Sequence, residues 1–262
     1  MGTGPDSCFR ALIVSLGKMG LELPTMSRAI GAGLESIKTN AVPMALLWAA
    51  ALSLVTGYYH CPAVVSALEP LCRWQTQSGW IASFLNRFFF CGVLPGVFIL
   101  ALKSLQAPHP LAVILAQTLL SGICGIVSGW MFELHAVWFG TGTDWATVLI
   151  KTIVYQFGWV VVFFMPFGAT VYFWIGRNFS LRRTRAEWPR HFVGELLLPN
   201  LIVNWTIWVP LSLIVHLFPT PLQTQLTGLA NAFLSLVLLT LGRRAATGRS
   251  VQGKDATDGS RN

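Results

Sequence analysis

Apolar positions gather into six long runs: Val42–Tyr59, Trp80–Leu102, Pro110–Met131, Trp145–Ile175, Phe192–Phe218 and Leu222–Leu241. A hydrocarbon layer about 30 Å thick is crossed by about 20 helical residues. Five runs fit one crossing each. The fourth is longer, and tilting, kinking or a start above the membrane would absorb the excess. The pattern predicts an all-α fold, a polytopic transmembrane helix bundle of about six spans, occupying 42–241. Residues 1–41 hold no crossing, and the stretch "CFRALIVSLGKMGLEL" (8–23) suits a helix lying along the inner interface. Residues 242–262 are polar and small, and read as a disordered tail.

Composition agrees with lipid as the main solvent. Hydrophobic residues make up 54% and charged residues 11%, against roughly a quarter charged in soluble domains. Of the 18 Lys and Arg, 15 fall in four places: the N-terminal segment, Lys103, Arg177–Arg190 and the tail from Arg243. Six crossings put all four on one side, with Glu69, Glu133 and Asp144 opposite. Positive loops stay inside, so both termini are predicted inside. The net charge of +8 then needs no nucleic acid: Arg182, Arg183, Arg185 and Arg190 set topology and meet anionic headgroups. The expected location is the inner membrane of a bacterium or an organelle membrane of a eukaryote.

The run "PNLIVNWTIWVP" (199–210) combines two prolines with Asn200 and Asn204, four apart and so on one helix face. Pro199 removes a backbone donor and disturbs the carbonyl of Glu195. An amide in lipid needs a partner, and Asn231 in the sixth run is the natural one for Asn204. Arg87 and Lys151 lie in the outer half of the second and fourth runs, with Glu133 and Asp144 as partners of matching depth. An intramembrane charge costs roughly 2.5–3.5 kcal/mol on insertion scales unless it faces a bundle interior or snorkels. Gln117 and Gln156 read as interhelical links. His135 and His216, at outer ends, read as solvated, and Glu195 as a partner of Arg190.

Small residues recur at helical spacing: Ser121, Gly125 and Gly129; Gly92 and Gly96; Gly228 and Ala232. They permit close helix packing within the chain or, alternatively, a homo-oligomer. Cys61 and Cys72 share the first outer loop, where a bridge and free thiols both remain open. No zinc spacing, phosphate loop, nucleophile elbow or intramembrane aspartate pair is present. No enzyme, cofactor or metal is expected.

The order of "HAVWF" (135–139), "KTIVYQ" (151–156), "PNLIVNWTIWVP" and "NAFLS" (231–235) resembles the 22-kDa peroxisomal membrane protein family, which has mitochondrial inner-membrane members. Lys151 and Gln156 match its Lys-x-x-x-Asp-Gln pattern, with Tyr155 for Asp. Pro199 and Val209–Pro210 keep its spacing, Asn204 stands one place early, and Asn231, Leu234 and Ser235 match with Ala230 for Trp. The likeness covers the C-terminal half. It implies a small integral membrane protein of the kind proposed to form pores, with Lys151, Gln156, Asn204 and Asn231 as central polar residues. The expected function is a narrow solute pathway lined by Asn200, Asn204, Asn231 and Gln156, with Arg87 and Lys151 forming an outer vestibule that favours anions. The alternative is a membrane scaffold or assembly factor without transport.

Overall fold

The computed structural model describes residues 23–101 and 109–236. Its elements are α1 (Leu23–His60), α2 (Pro62–Ser78), α3 (Trp80–Ala101), α4 (Pro110–Phe139), α5 (Trp145–Gly176), α6 (Leu181–Ala186), α7 (Val193–Val215) and α8 (220–236). No strand occurs among the described residues. Five helical stretches are long and apolar enough to cross a membrane: Ala41–His60 of α1, and α3, α4, α5 and α7. That is compatible with a multi-pass membrane protein. The sixth run is helical over 220–236. Its last residues, most of the interfacial segment 8–23, Lys103 and the tail 242–262 lie outside the described residues.

Several boundaries differ from the sequence reading. The first helix begins at Leu23, well before Val42. The stretch after Cys61 is a helix rather than a loop, because Pro62 presets the first helical φ and Gly79 stops the last turn. Cys61 and Cys72 are free thiols. Helix α4 runs past Met131 to Phe139.

Prolines explain the winding. Segments Phe88–Val93, Val154–Phe164 and Val193–Leu197 are π-helical. Pro95, Pro166 and Pro199 each follow two residues after such a segment ends. A proline cannot donate to the carbonyl four residues back, and its ring clashes with it. Widening the turn moves that carbonyl aside. At Pro199 the residue concerned is Glu195, so the disturbance read from the sequence becomes one π turn and the helix continues.

The chain divides into two compact units: Met1–Val42 with Thr152–Ser212, and Pro43–Lys151 with Leu213–Asn262. In the second unit α3 and α4 pack antiparallel through glycine. A Cβ on Gly96 would press on Ile114, and one on Gly92 would stand 2.5 Å from the Thr118 Cα. On α4, a Cβ at Gly122 would strike the Phe84 ring, at Gly125 the Ser83 carbonyl oxygen, and at Gly129 the Ser83 hydroxyl. Lipid tails are as apolar as leucine, so this backbone proximity replaces the hydrophobic effect as the force between helices. Where α1 meets α8, Val55, Ile214, Phe218, Leu222 and Leu226 form an apolar cluster.

In the first unit the turn after α5 carries Asn178 and Phe179 at φ 53° and 60°. The Arg177 guanidinium lies 4.3 Å from the Phe173 ring centroid and pairs with Glu187. Arg190 and Glu195, expected to pair, form neither of the described ion pairs, which are Arg177–Glu187 and Arg73–Glu69.

The glycine contact has a direct consequence. Gly125→Ala should lower stability by about 1–3 kcal/mol through overpacking against backbone. Gly168→Ala, where a Cβ meets nothing within 4 Å, should be neutral or slightly stabilising. Thermal unfolding of both variants in detergent checks the contrast.

Candidate functional site

Helix α8 is the most enclosed element of the second unit. Its residues 222–228 are all buried, although the stretch reads Leu-Gln-Thr-Gln-Leu-Thr-Gly. Polar groups so placed need hydrogen bonds, and Gln223, Gln225 and Thr227 have them. Gln223 Nε2 donates to the Phe218 carbonyl at 2.8 Å, and Thr227 Oγ1 to the Thr224 carbonyl at 2.9 Å.

Gln225 reaches sideways into a relay. Asn86 Nδ2 of α3 donates to Gln225 Oε1 at 2.6 Å, and Gln225 Nε2 donates to Gln75 Oε1 of α2 at 2.6 Å. Gln75 Nε2 donates onward to Ser83 Oγ at 2.9 Å and to the Gly79 carbonyl at 3.0 Å. Three helices are thus joined head to tail through three amides. Gly79, at φ +51° and ψ −120°, makes the elbow between α2 and α3. A side chain rarely adopts that backbone. Gly228 leaves room for Asn86, since a Cβ there would collide with Asn86 Oδ1. That oxygen is buried without a hydrogen-bond partner among the described residues.

Beside the relay lies a cavity of about 670 Å³. It sits where α1 ends, α2 turns into α3, α4 ends and α8 begins. Its wall includes Gln75, Thr76, Gly129, Glu133, Thr224 and the Tyr59 ring. Tyr59 is fixed by its hydroxyl, which donates to the Leu217 carbonyl at 2.6 Å. None of Arg87, Lys151, Gln156, Asn200, Asn204 and Asn231 lines this cavity.

Arg87 and Lys151 have different surroundings from those expected. Arg87 Nη2 donates to Ser128 Oγ at 3.3 Å rather than to Glu133 or Asp144. Lys151 does not snorkel: it is 2% exposed, with His135 and Asp144 within electrostatic reach. Asp144 caps α5 by accepting the Thr147 N–H at 3.0 Å. Hydrogen bonds from the Thr147 side chain and backbone hold its carboxyl below the usual range. His135 and His216, read as solvated, are 0% and 1% exposed, with ring centroids 6.2 Å apart and Phe132 against His216. The extension of α4 past Met131 carries His135 into packed surroundings.

In the first unit Gln156 is the hub. Its Nε2 donates to Ser212 Oγ at 2.6 Å and to the Trp208 carbonyl at 3.3 Å. Asn204 Nδ2 donates to Gln156 Oε1 at 3.3 Å, and Trp205 Nε1 to the Gln156 carbonyl at 3.0 Å. The structure therefore brings Asn204 and Gln156 together. Asn231 Nδ2 donates to the Thr227 carbonyl and Asn200 Nδ2 to the Leu196 carbonyl, each within its own helix. Arg182, Arg183, Arg185 and Arg190 are exposed.

No protein-family model, curated protein or solved structure matches the chain. The likeness to the 22-kDa family accordingly rests on its motifs.

Gln75, Asn86, Ser83 and Gln225 were not singled out as a set from the sequence. One signal was present. The tripeptide Gln-Thr-Gln occurs twice, at 75–77 and 223–225, and the two copies supply Gln75 and Gln225.

The relay predicts coupling. Gln75→Met or Gln225→Met alone should destabilise by about 1–3 kcal/mol, because each strands a buried amide. The double variant should cost less than the sum, with a coupling of about 0.6–2 kcal/mol. A double-mutant cycle on thermal or SDS unfolding measures this. Strict additivity would mean that the relay does not exist in the folded protein.

Proposed function

We propose that the protein is a multi-pass membrane protein that gives a polar solute a way into the bilayer through its second unit. In this reading the termini lie inside, and six crossings include α8 with its continuation. The observation that carries it is the 670 Å³ cavity beside the polar, wholly buried stretch 222–228 of α8. Ligand pockets typically span about 300–1,000 Å³ and combine apolar walls with a few convergent polar groups. Here the wall combines Tyr59 and Phe218 with Gln75, Thr76 and Thr224. The helix ends that frame it are those the charge pattern assigns outside, so the cavity would be an outer vestibule. The likeness of the C-terminal half to a family proposed to form pores supports the same class of function.

The path first expected, along Asn200, Asn204, Asn231 and Gln156 behind a cationic vestibule, has less support. Those amides have partners close by, and neither Arg87 nor Lys151 lines the cavity. The scaffold reading draws on the same saturation and on the exposed Arg182, Arg183, Arg185 and Arg190. Crosslinking in native membranes distinguishes it: a stable protein partner lost when those arginines are neutralised would favour a scaffold.

Thr141 is exposed and lines the cavity. In proteoliposomes the wild-type chain should accelerate the flux of small polar solutes. Thr141→Trp should reduce that flux by roughly tenfold or more, equivalent to about 1.4 kcal/mol at the barrier, with unfolding temperature unchanged. Absence of flux above protein-free vesicles would sink the pathway reading.

A further inference from the structure

We infer that the cavity of the second unit selects organic ammonium compounds, and that Glu133 is the residue that selects them. This inference rests on the reading of that cavity as a solute site. It reverses the anion preference expected from Arg87 and Lys151.

The wall chemistry is one-sided. Glu133 is the single charged side chain among the lining residues, and no lysine, arginine or histidine is among them. Glu133 is exposed and takes part in neither of the described ion pairs. Its charge is therefore offered to the cavity rather than spent on a neighbour.

The neutral wall does not oppose this. Thr76, Thr141, Thr143, Thr220 and Thr224 contribute hydroxyls. Thr76 Oγ1 already donates to the Cys72 carbonyl at 2.9 Å, which turns its lone pairs toward an incoming donor. The Gln75 Nε2 donor is committed to Ser83 and Gly79. The remaining hydroxyls donate as readily as they accept, so the neutral wall takes either sign and the carboxylate alone turns an anion away. A cation entering would meet that carboxylate together with hydroxyl lone pairs.

Size and aromatic content narrow the class. A volume of about 670 Å³ exceeds what a bare metal ion would fill, and hard metal ions take six or more oxygen ligands in a tight shell. Tyr59, held in the wall through its hydroxyl bond to Leu217, adds an aromatic group of the kind that attracts alkylammonium compounds. A carboxylate, an aromatic ring and hydroxyls on one wall suit a small amine or quaternary ammonium solute.

The test is equilibrium binding to the full chain in nanodiscs of zwitterionic lipid. Probes are choline and ethanolamine, with glycerol as the neutral control and acetate as the anion. Both cations should bind more tightly than either control. Glu133→Gln should weaken cation binding about ten- to a hundredfold, the range for one charge-assisted contact, and leave glycerol unaffected. Glu69→Gln, whose carboxylate pairs with Arg73 outside the cavity, should change nothing. Equal binding of cations and controls, no binding of any probe, or an unaltered Glu133→Gln variant would each overturn the inference. Cation binding without flux would retain it and reject the pathway. Flux without charge preference would do the reverse.

Discussion

The close approach of α3 and α4 through glycine is the contact on which the polar centre depends. Asn86 donates to Gln225, Gln225 to Gln75 and Gln75 to Ser83, over 2.6–2.9 Å. Bonds of this kind weaken steeply with distance and angle. Ser83 lies against Gly125 and Gly129, and Asn86 against Gly228. A methyl group at any of these positions would push α3 outward and open the relay. In water such a slip would be softened by solvent, but in an apolar medium each parted amide keeps its full desolvation cost. Packing and polarity here are one constraint: the glycines set the spacing, and the amides make that spacing the only favourable one.

Prolines impose a second constraint, met differently. Pro95, Pro166 and Pro199 each follow a π segment, so the helices stay continuous while their winding adjusts. Pro210 lies within α7 in regular α-helix. The stretch 199–210, odd as a sequence, is thus part of a continuous helix long and apolar enough to cross a membrane, preceded by one wide turn. Its Asn204 works with Gln156 and Ser212, while its Asn200 closes on its own helix. Shared helical face did not decide a shared role, because the side chains reach different neighbours.

What was legible in the sequence follows from period and length. The long helices are visible as apolar runs, since about twenty consecutive apolar residues have few alternatives. The stripes Gly92/Gly96 and Gly125/Gly129 were visible as small residues four apart. The relay was not, for a physical reason. Gln75 sits in a 17-residue helix of low mean hydropathy that lacks the signature of a span. Gln225 sits at the start of an apolar run whose overall character hid its polar first turns. Their pairing spans 150 residues and is fixed by α3 packing on α4, which no local pattern encodes. The burial of His135 was hidden likewise, because α4 outruns the membrane-length segment that hydropathy marks.

Glu133 illustrates how one residue can satisfy two readings. Counted along the chain, it is one of the few acids on the side expected to lie opposite the arginines. Placed in space, it is the one charge on the wall of a cavity whose other polar groups are hydroxyls and committed amides. Charge bias in loops constrains lysine and arginine far more than aspartate and glutamate. Topology alone therefore gives little reason for an acid at this position, whereas the cavity gives a specific one. The sign of the field in the cavity is then set by Glu133, and the buried Lys151 and half-buried Arg87, absent from the wall, leave it unopposed there.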